Sequence, residues 1–215
     1  MAQVVLEAGG VRLDADVVVP AGAVGVLLIA HASGSSRHSP RNQAVAGTLR
    51  ERGLATVLVD LLTPEEERVD AVDGRLRFDI GLLADRLTGV MDDAPPAIAE
   101  LPLGLFGAST GGAAALVAAA GRPERVRAVV SRGGRPDLAG PALTQVRAPT
   151  LLVVGQHDAM VVNLNERARQ VMTAPTELRI VPGASHLFAE PGALEEVGVL
   201  AADWFTATLP IPLDD

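Results

Sequence analysis

The sequence predicts an α/β fold: about eight strands in a mostly parallel sheet, with an antiparallel N-terminal edge and helices on both faces. Short β-branched runs alternate with longer segments of helical spacing along the 215 residues. Several of the runs are continuously apolar, as expected for parallel strands that are covered on both faces. The length and the 48% hydrophobic content fit a single domain, residues 1–215, with a substantial core.

The strands are expected in eight short stretches of the chain. Gly9-Gly10 separates the first two stretches, and this spacing predicts an antiparallel hairpin at one edge of the sheet. The third stretch is a continuous apolar run, as expected of a strand covered on both faces, and the fourth and fifth stretches are similar to it. The predicted strands are residues 4–7, 11–19, 24–30, 55–60, 103–106, 126–131, 150–154 and 178–181.

The helices are predicted from their start and stop signals. Ser39 followed by Pro40 indicates a helix start, and that helix is expected to run to about Arg52. Further helices are expected at residues 78–91 and 113–120, from a capping box at Asn163 to residue 172, and from residue 191 through 205. The acidic, then basic stretch 63–77 is predicted to be a solvated loop, at most with a short helical turn. The segment between the sixth and seventh strands is too short for a cap domain.

Composition excludes whole classes of chemistry. All 18 basic residues are arginine, so Schiff-base catalysis and the lysine of a phosphate-binding P-loop are excluded. There is no cysteine, which excludes a thiolate nucleophile, disulfides and cysteine-ligated metals. The four histidines form no His-Glu-x-x-His pattern, so no metal and no cofactor are expected. Serine and histidine are the best remaining catalytic chemistry.

Charge and hydropathy limit the classes of partner that are expected for this chain. A net charge of −8 disfavours nucleic acid and provides no polybasic patch for a membrane surface. No signal peptide and no apolar run of membrane-spanning length is recognisable, so a cytoplasmic protein is expected. A small-molecule substrate is therefore the expected partner. A homodimer through an exposed helix or an edge strand stays open, because no residue argues for it or against it.

A serine between glycines is the most informative motif. Gly107-Ala-Ser-Thr-Gly111 follows the apolar run 103–106 and precedes alanine-rich sequence, which predicts strand, tight turn and helix. In a nucleophile elbow of this kind the serine lies on a strained turn with its hydroxyl exposed, and the glycines avoid collisions with the adjoining elements. Ser109 is the candidate nucleophile. The alternative is a glycine-rich turn with an incidental serine.

Two further strand ends carry the other groups of a hydrolase triad. Asp158 follows the seventh strand and His186 follows the eighth. Ligands of open parallel sheets bind outside the carboxyl ends of the strands, so residues at these positions converge. The order Ser, Asp, His is that of α/β hydrolases. A histidine accepts the serine proton and later returns it to the leaving group, while an aspartate orients the histidine and stabilises its charged form.

Each triad member has rivals in the sequence. His157 is the alternative base, although it lies directly beside the acid. Asp137, after the sixth strand, and Asp60, after the fourth, are alternative acids, and Asp137 is the runner-up because a carboxylate there is also within reach of the histidine.

The oxyanion that forms during acyl transfer needs two hydrogen-bond donors. The backbone N–H of Thr110, the residue after the nucleophile, is the first candidate. The second is expected in the loop His31-Ala-Ser-Gly-Ser-Ser-Arg-His38, and Ser33 is nominated, with Ala32 next. Two alternatives remain open for this loop: a plain turn leading into the Ser39 cap, and a phosphate cradle of backbone amides.

Three arginines and one phenylalanine are candidates for substrate binding. Arg37 and Arg132 lie near the catalytic edge, together with Arg135, and these guanidinium groups are suited to a substrate carboxylate or phosphate. The alternative is a structural role, with the arginines bonding loop carbonyls or pairing with Asp137. Phe188, two residues after His186, is expected either to line the site or to pack in the core.

Five motifs together resemble small bacterial α/β hydrolases related to dienelactone hydrolases, over nearly the whole chain. The chain is most similar to a branch whose members are sometimes fused to a phosphoribosyltransferase domain, and no such domain is expected in these residues. The resemblance implies an α/β-hydrolase fold, with Ser109, Asp158 and His186 as the triad and Ser33 and Thr110 as oxyanion donors. Dienelactone hydrolases proper use cysteine at the position of Ser109, so their lactone substrate is not carried over. The five motifs are His31-Ala-Ser-Gly-Ser, Gly107-Ala-Ser-Thr-Gly, Ser131-Arg-Gly-Gly-Arg-Pro-Asp137, Gly155-Gln-His-Asp158 and Pro182-Gly-Ala-Ser-His186.

The function expected from these observations is that of a serine esterase: cleavage of an ester, thioester or lactone of a small molecule through an acyl-enzyme intermediate. The same triad also supports perhydrolysis or acyl transfer. A non-catalytic binding protein with this fold is the alternative of a different class, because a fold does not imply a function.

Overall fold

A computed structural model describes residues 2–31 and 34–209 of the chain. Eight strands form one sheet in the order β1-β2-β4-β3-β5-β6-β7-β8. The α/β prediction of an eight-stranded sheet is therefore confirmed. The strands are β1 (Ala2–Ala8), β2 (Val11–Val18), β3 (Gly25–Ala30), β4 (Leu54–Val59), β5 (Leu103–Ala108), β6 (Val126–Arg132), β7 (Thr150–Gly155) and β8 (Thr176–Val181).

The N-terminal edge of the sheet is antiparallel, as predicted. β1 and β2 form a hairpin in which Ala8 pairs with Val11, and the turn between them has positive φ at Gly9 and Gly10. β2 also pairs antiparallel with β4, whereas every pair from β4 to β8 is parallel. All residues of β3, β4, β5 and β7 are buried, as the continuous apolar runs predicted.

Helices cover both faces of the sheet. One face packs against α3 and α5, and the other packs against α1 and α7. Each face has its own apolar core, because parallel strands joined by right-handed helical crossovers leave neither face to solvent. The helices are α1 (Pro40–Glu51), α2 (Pro64–Asp73), α3 (Ile80–Asp92), α4 (Pro96–Ala99), α5 (Thr110–Gly121), α6 (Ala159–Val171) and α7 (Ala193–Thr208).

The stretch 63–77 is helical, so the predicted solvated loop was wrong there. Thr63 and Glu66 form a capping box that starts α2: the Thr63 hydroxyl accepts from Glu66 N and the Glu66 carboxylate accepts from Thr63 N. The helix carries little apolar periodicity, so its hydrophobic pattern did not show it. The capping box at its start was the signal that could have found it.

Several helix boundaries also differ from the prediction. α6 begins at Ala159, with Asp158 at the N-cap position, rather than at Asn163, and Asn165 is buried. α5 begins directly after Ser109. Ser39 occupies the N-cap of α1, but its side chain makes no capping hydrogen bond. Short 3-10 helices that were not predicted span Leu76–Phe78 and Pro136–Thr144.

The connection between β6 and β7 has no separate cap domain in the described part of the chain. It consists of short loops and the segment Pro136–Thr144, whose 3-10 turns are interrupted at Gly140 (φ 52°, ψ −129°). Within residues 2–31 and 34–209, no helix combines the length and the apolar character needed to cross a bilayer.

Candidate active site

Ser109 lies at the sharp turn between β5 and α5. Its backbone has φ 52° and ψ −119°, a conformation that residues other than glycine rarely adopt. The glycines around it allow a close approach of the backbone. A Cβ on Gly107 would lie 2.3 Å from Gly111 O, and one on Gly111 would lie 2.4 Å from Ala30 O. The strained turn of a nucleophile elbow is therefore present, and these two glycines permit it.

The neighbouring strand β6 supports this turn through its backbone. Ser109 N donates to Arg132 O at 3.1 Å, and Arg135 N donates to Ser109 O at 3.2 Å. The end of β6 and the loop after it therefore bind both polar groups of the serine backbone. The nucleophile candidate is held at the carboxyl edge of the sheet, where parallel sheets bind their ligands.

His186 and Asp158 meet at the same edge. His186 Nδ1 and Asp158 Oδ2 are 2.6 Å apart, which is the length of a charge-assisted hydrogen bond. Asp158 lies at the end of β7, and His186 lies in the turn after β8. Gly133 lies beside His186, since a Cβ on this glycine would be in ordinary contact with His186 O at 3.4 Å and with His186 Cε1 at 3.5 Å. The aspartate is placed to orient the imidazole and to stabilise its charged form.

The rival residues have other partners. Asp137 accepts two hydrogen bonds from Arg135, at 2.8 and 2.7 Å. Asp60 pairs with His31, whose Nε2 lies 2.9 Å from Asp60 Oδ1. His157 is exposed. Among the described residues, Asp158 is the carboxylate that is hydrogen-bonded to His186.

Ser109 Oγ makes no hydrogen bond to His186 among the described residues. The two residues nevertheless share a support: Arg132 O binds Ser109 N, and the next residue, Gly133, lies under the His186 ring. Catalytic hydrogen bonds are often long without substrate and tighten when a substrate binds. Ser109, Asp158 and His186 therefore lie at the same carboxyl edge of the sheet, without a hydrogen bond between Ser109 Oγ and His186 among the described residues.

Thr110, the predicted oxyanion donor, occupies the first position of α5. The residue is 1% exposed, and its hydroxyl is buried without a partner among the described residues. Its N–H belongs to the first turn of a 12-residue helix, where amide groups lack intrahelical acceptors and the helix dipole favours an anion. The second predicted donor, Ser33, and its alternative, Ala32, lie outside the described residues.

Asp60 anchors the described part of the loop that follows β3. Its carboxylate accepts from Arg37 N at 2.7 Å, from the Arg37 guanidinium, and from His31. Burial opposes ionisation most strongly, but the hydrogen bonds from His31 and Arg37 outweigh it and hold the pKa of Asp60 below its ordinary value. Asn42 and Gln43 of α1 add bonds to the loop carbonyls of Ser36 and Arg37, both at 2.8 Å. The loop is thus tied to both β4 and α1.

A cavity of about 510 Å³ opens beside Thr110. One part of its wall is apolar, with Leu61, Leu62 and Leu83, and another part is charged. Burial, followed by the nearby charge of Asp60, raises the pKa of Glu67 in this wall. No group of three or more His, Asp or Glu side chains in the described ranges is arranged to hold a metal ion. The charged and polar lining comprises His31, Ser35, Ser36, Ser39, Arg41, Glu67, Asp70, Arg77 and Thr110.

The predicted substrate-binding residues lie in different environments. Arg37 is engaged by the carboxylates of Asp60 and, more loosely, Asp16 at 3.5 Å. Phe188 is 2% exposed and packs in the core on the α1 and α7 face, with φ 52°. Arg132 is 6% exposed, and its Cζ lies 5.9 Å from the centre of the Phe188 ring. These contacts place Phe188 in the core and Arg37 in the anchor of the loop.

Sequence reasoning missed Arg41, which lines the cavity from the first turn of α1. The available signal was its position directly after Pro40, where a helix begins at the carboxyl edge of the sheet. Residues in such a first turn face the ligand region of parallel sheets.

The chain is similar to a known protein family and to solved structures. The Dienelactone hydrolase family matches residues 13–208. A dienelactone hydrolase from Anabaena variabilis is 56% identical, covers 97% of each chain and superposes with a TM-score of 0.94. Est1E from Butyrivibrio proteoclasticus, at 16% identity, shares the fold with a TM-score of 0.80 over 96% of this chain and 98% of its own.

A relative from two strains of Mycobacterium tuberculosis is 55% identical over 205 residues. Its name gives phosphoribosyl transferase as a provisional activity. The match covers 94% of this chain and 45% of the relative, so the chain spans about half the length of that relative. With a family match across most of its length, the chain belongs to the dienelactone hydrolase family, and it has the α/β-hydrolase fold.

Proposed function

We propose that this protein is a serine hydrolase that cleaves an ester, thioester or lactone of a small molecule. The observation that carries the proposal is the strained Ser109 turn at the same sheet edge as the Asp158–His186 hydrogen bond. Nucleophilic acyl transfer uses a serine on a strained turn together with an imidazole that a carboxylate orients, and Ser109 is partly exposed. Membership of a family of hydrolases supports the same reaction class.

The proposed reaction begins with attack of Ser109 Oγ on the substrate carbonyl carbon. His186 Nε2 takes the hydroxyl proton as the new C–O bond forms, while Asp158 holds Nδ1–H and stabilises the imidazolium. The tetrahedral oxyanion accepts a hydrogen bond from Thr110 N. Collapse breaks the bond to the leaving group, which receives the proton from His186. Water, deprotonated by His186, then releases the acid and regenerates Ser109.

The cavity beside Thr110 is the proposed site for the acyl group. Its 510 Å³ volume suits a small or medium-sized acyl chain, and Leu61, Leu62 and Leu83 supply an apolar wall. Acyl transfer or perhydrolysis would use the same acyl-enzyme with a different acceptor. The name of the Anabaena relative makes a lactone one reasonable member of the test panel, although that relative's substrate is not assigned to this chain.

A non-catalytic binding role is the second candidate. The observation that favours it is the missing hydrogen bond between Ser109 Oγ and His186. The two candidates differ in one measurable respect: a catalytic Ser109 reacts with an electrophile, whereas a serine in a binding protein stays inert. Phosphoribosyl transfer is not proposed, since neither the Ser109 turn nor the Asp158–His186 pair is chemistry that it needs.

The decisive experiment combines labelling and turnover. The protein is treated with a fluorophosphonate probe, and the adduct is mapped by mass spectrometry in wild type, Ser109→Ala and Ser185→Ala. We expect an adduct on Ser109, which is lost only in Ser109→Ala. A panel of nitrophenyl esters of increasing chain length then measures kcat/KM. Well-folded wild type without an adduct and without turnover that depends on Ser109 would overturn the proposal.

A further inference from the structure

One side of α2 lines the cavity beside Thr110. Glu67, Asp70 and Ala71 are the residues of α2 in the cavity wall, and their spacing of three and four positions places them on the same side of the helix. Val69 and Val72 are 44% and 89% exposed, so the opposite side of the helix faces solvent. α2 therefore turns its two cavity carboxyl groups toward the proposed acyl site.

Glu67 is the acid in the first turn of α2 that has no partner in the described part of the chain. Glu65 pairs with Arg68 at 2.5 Å. Glu66 closes the capping box and also binds Arg86 at 2.8 Å. The Glu67 side chain makes neither an ion pair nor a hydrogen bond with the described residues. The fold thus uses the two neighbouring acids and leaves the one in the cavity wall uncommitted.

The second acid of this wall is fully occupied. Asp70 accepts from the backbone N–H of Arg77 at 2.9 Å and from its guanidinium at 2.5 Å. Glu67, in contrast, is exposed, so a ligand in the cavity can reach its carboxylate. Partial burial, followed by the charge of Asp60, raises the pKa of Glu67, and a hydrogen-bond donor from a ligand would stabilise its ionised form.

The charges in the cavity wall indicate a ligand without a charge of its own. Within the described lining, the carboxyl groups of Glu67 and Asp70 are matched in number by the guanidinium groups of Arg41 and Arg77. A charged acyl group would be attracted by one kind of group and repelled by the other. A hydroxyl group donates to a carboxylate without adding a charge. The apolar part of the same wall suits a methylene chain that carries this hydroxyl.

We propose that Glu67 accepts a hydrogen bond from a hydroxyl group on the acyl chain of the substrate, so that the protein selects esters of neutral hydroxy acids. The inference rests on the proposed hydrolysis at Ser109, because it assigns a substrate class to that site. Glu67 is a specificity residue here: it holds the hydroxyl end of the acyl group while Ser109 attacks the ester carbonyl. No covalent bond forms or breaks at Glu67.

The test uses two pairs of nitrophenyl esters in which a methyl group replaces the hydroxyl. The first pair is 4-nitrophenyl 6-hydroxyhexanoate and 4-nitrophenyl heptanoate, and the second is 4-nitrophenyl 8-hydroxyoctanoate and 4-nitrophenyl nonanoate. The measured quantity is the ratio of kcat/KM for the hydroxy ester to kcat/KM for its methyl counterpart. In wild type we expect this ratio to favour the hydroxy ester in at least one pair.

Glu67→Leu removes the acceptor and is expected to lower the ratio by about 10- to 100-fold, the range of a lost hydrogen bond to a charged group. Glu67→Gln is expected to keep part of the preference, because its amide oxygen still accepts a hydrogen bond. Glu65→Leu is the matched control: it removes the same charge from the same turn of α2, its side chain is 73% exposed, and it lies outside the cavity lining. Its ratio should stay within about 2-fold of wild type.

Three results would overturn the inference: a wild type that favours the methyl ester in both pairs, a ratio that Glu67→Leu leaves unchanged, or an equal fall in Glu65→Leu. The last result would show a general effect of charge on α2. If Glu67→Leu does not fold, Glu67→Gln decides the test, and an unchanged ratio in that variant contradicts the inference.

Binding without turnover separates this inference from the proposed hydrolysis. Methyl 8-hydroxyoctanoate and methyl nonanoate are titrated by NMR into Ser109→Ala and into the double variant with Glu67→Leu. We expect the hydroxy ester to bind at least about 10-fold more tightly than the methyl ester, and only where Glu67 is present. If wild type cleaves none of the nitrophenyl esters, the proposed hydrolysis fails and this titration decides alone: equal affinities for the two methyl esters would overturn the assignment of Glu67.

Discussion

Replacing Gly111 with alanine tests whether the close approach of α5 to β3 positions the nucleophile turn. The new Cβ would lie 2.4 Å from Ala30 O and 2.9 Å from His31 O. Ordinary contact begins at 3.4 Å, so the two elements must separate by about 1 Å (3.4 − 2.4). Both contacted atoms are backbone carbonyl oxygens, so neither can move aside by a change of side-chain rotamer.

The size of the effect follows from two opposing contributions. Overpacking of this kind costs about 1–3 kcal/mol, whereas alanine in a helix is favoured over glycine by up to about 1 kcal/mol. We therefore expect Gly111→Ala to lower the free energy of unfolding by about 1–2 kcal/mol. The N–H of Thr110 moves with the start of α5, and a displacement of about 1 Å at a catalytic group costs roughly 100-fold in rate.

Urea unfolding measures the loss of unfolding free energy in Gly111→Ala, and kcat/KM with a nitrophenyl ester measures the loss of rate. Gly121→Ala is the matched control, because it lies in the same helix and its Cβ would meet nothing within 4 Å. We expect that control to stay within about 0.5 kcal/mol of wild type and to keep full activity. A Gly111→Ala protein with wild-type stability and wild-type kcat/KM would refute the argument.

Three further substitutions test other parts of the site. Asp158→Asn is expected to lower kcat by about 10⁴-fold, the loss known for such a change in a serine protease triad. Little stability should be lost, because the Asp158 side chain makes no capping hydrogen bond. A loss of kcat below about 10-fold would make Asp137 and Asp60 candidates for the acid again. Asp60→Asn is expected to lower the unfolding free energy by about 1–3 kcal/mol at pH 7, since its pKa is lowered in the folded state. That stabilisation is present above the pKa of Asp60 in the unfolded state and is lost as the pH falls through its pKa in the folded state. The urea midpoint of the variant should therefore depend less on pH below about 4 than that of wild type. An equal pH dependence of the two midpoints in this range would contradict the prediction. Thr63→Ala should destabilise α2 by about 1 kcal/mol, seen as faster hydrogen exchange of its amides, and unchanged exchange would speak against the capping box.

The buried charges around Asp60 stabilise one loop at this edge of the sheet. The Asp60 group, with His31 and Arg37, is internally balanced and fixes the loop that follows β3.

Much of the fold was predictable because its signals are local. Continuous apolar runs such as those of β3 and β5 identify buried parallel strands, and Gly9-Gly10 identifies the hairpin. α2 was missed because a polar surface helix has almost no hydrophobic periodicity. The start of α6 was misplaced because Asn163 and Glu166 resemble a capping box, although they lie inside the helix.

The sequence by itself determined the fold class, the turn at Ser109 and the order of the candidate groups, because glycine spacing and strand patterns act over a few residues. Only the tertiary structure decided that Asp158, rather than Asp137 or Asp60, is hydrogen-bonded to His186. It also decided that Arg132 is buried beside the Phe188 ring, whereas Arg37 pairs with Asp60. These outcomes depend on which side chains meet across strands that are distant in the chain, and the order of the strands in the sheet sets those meetings.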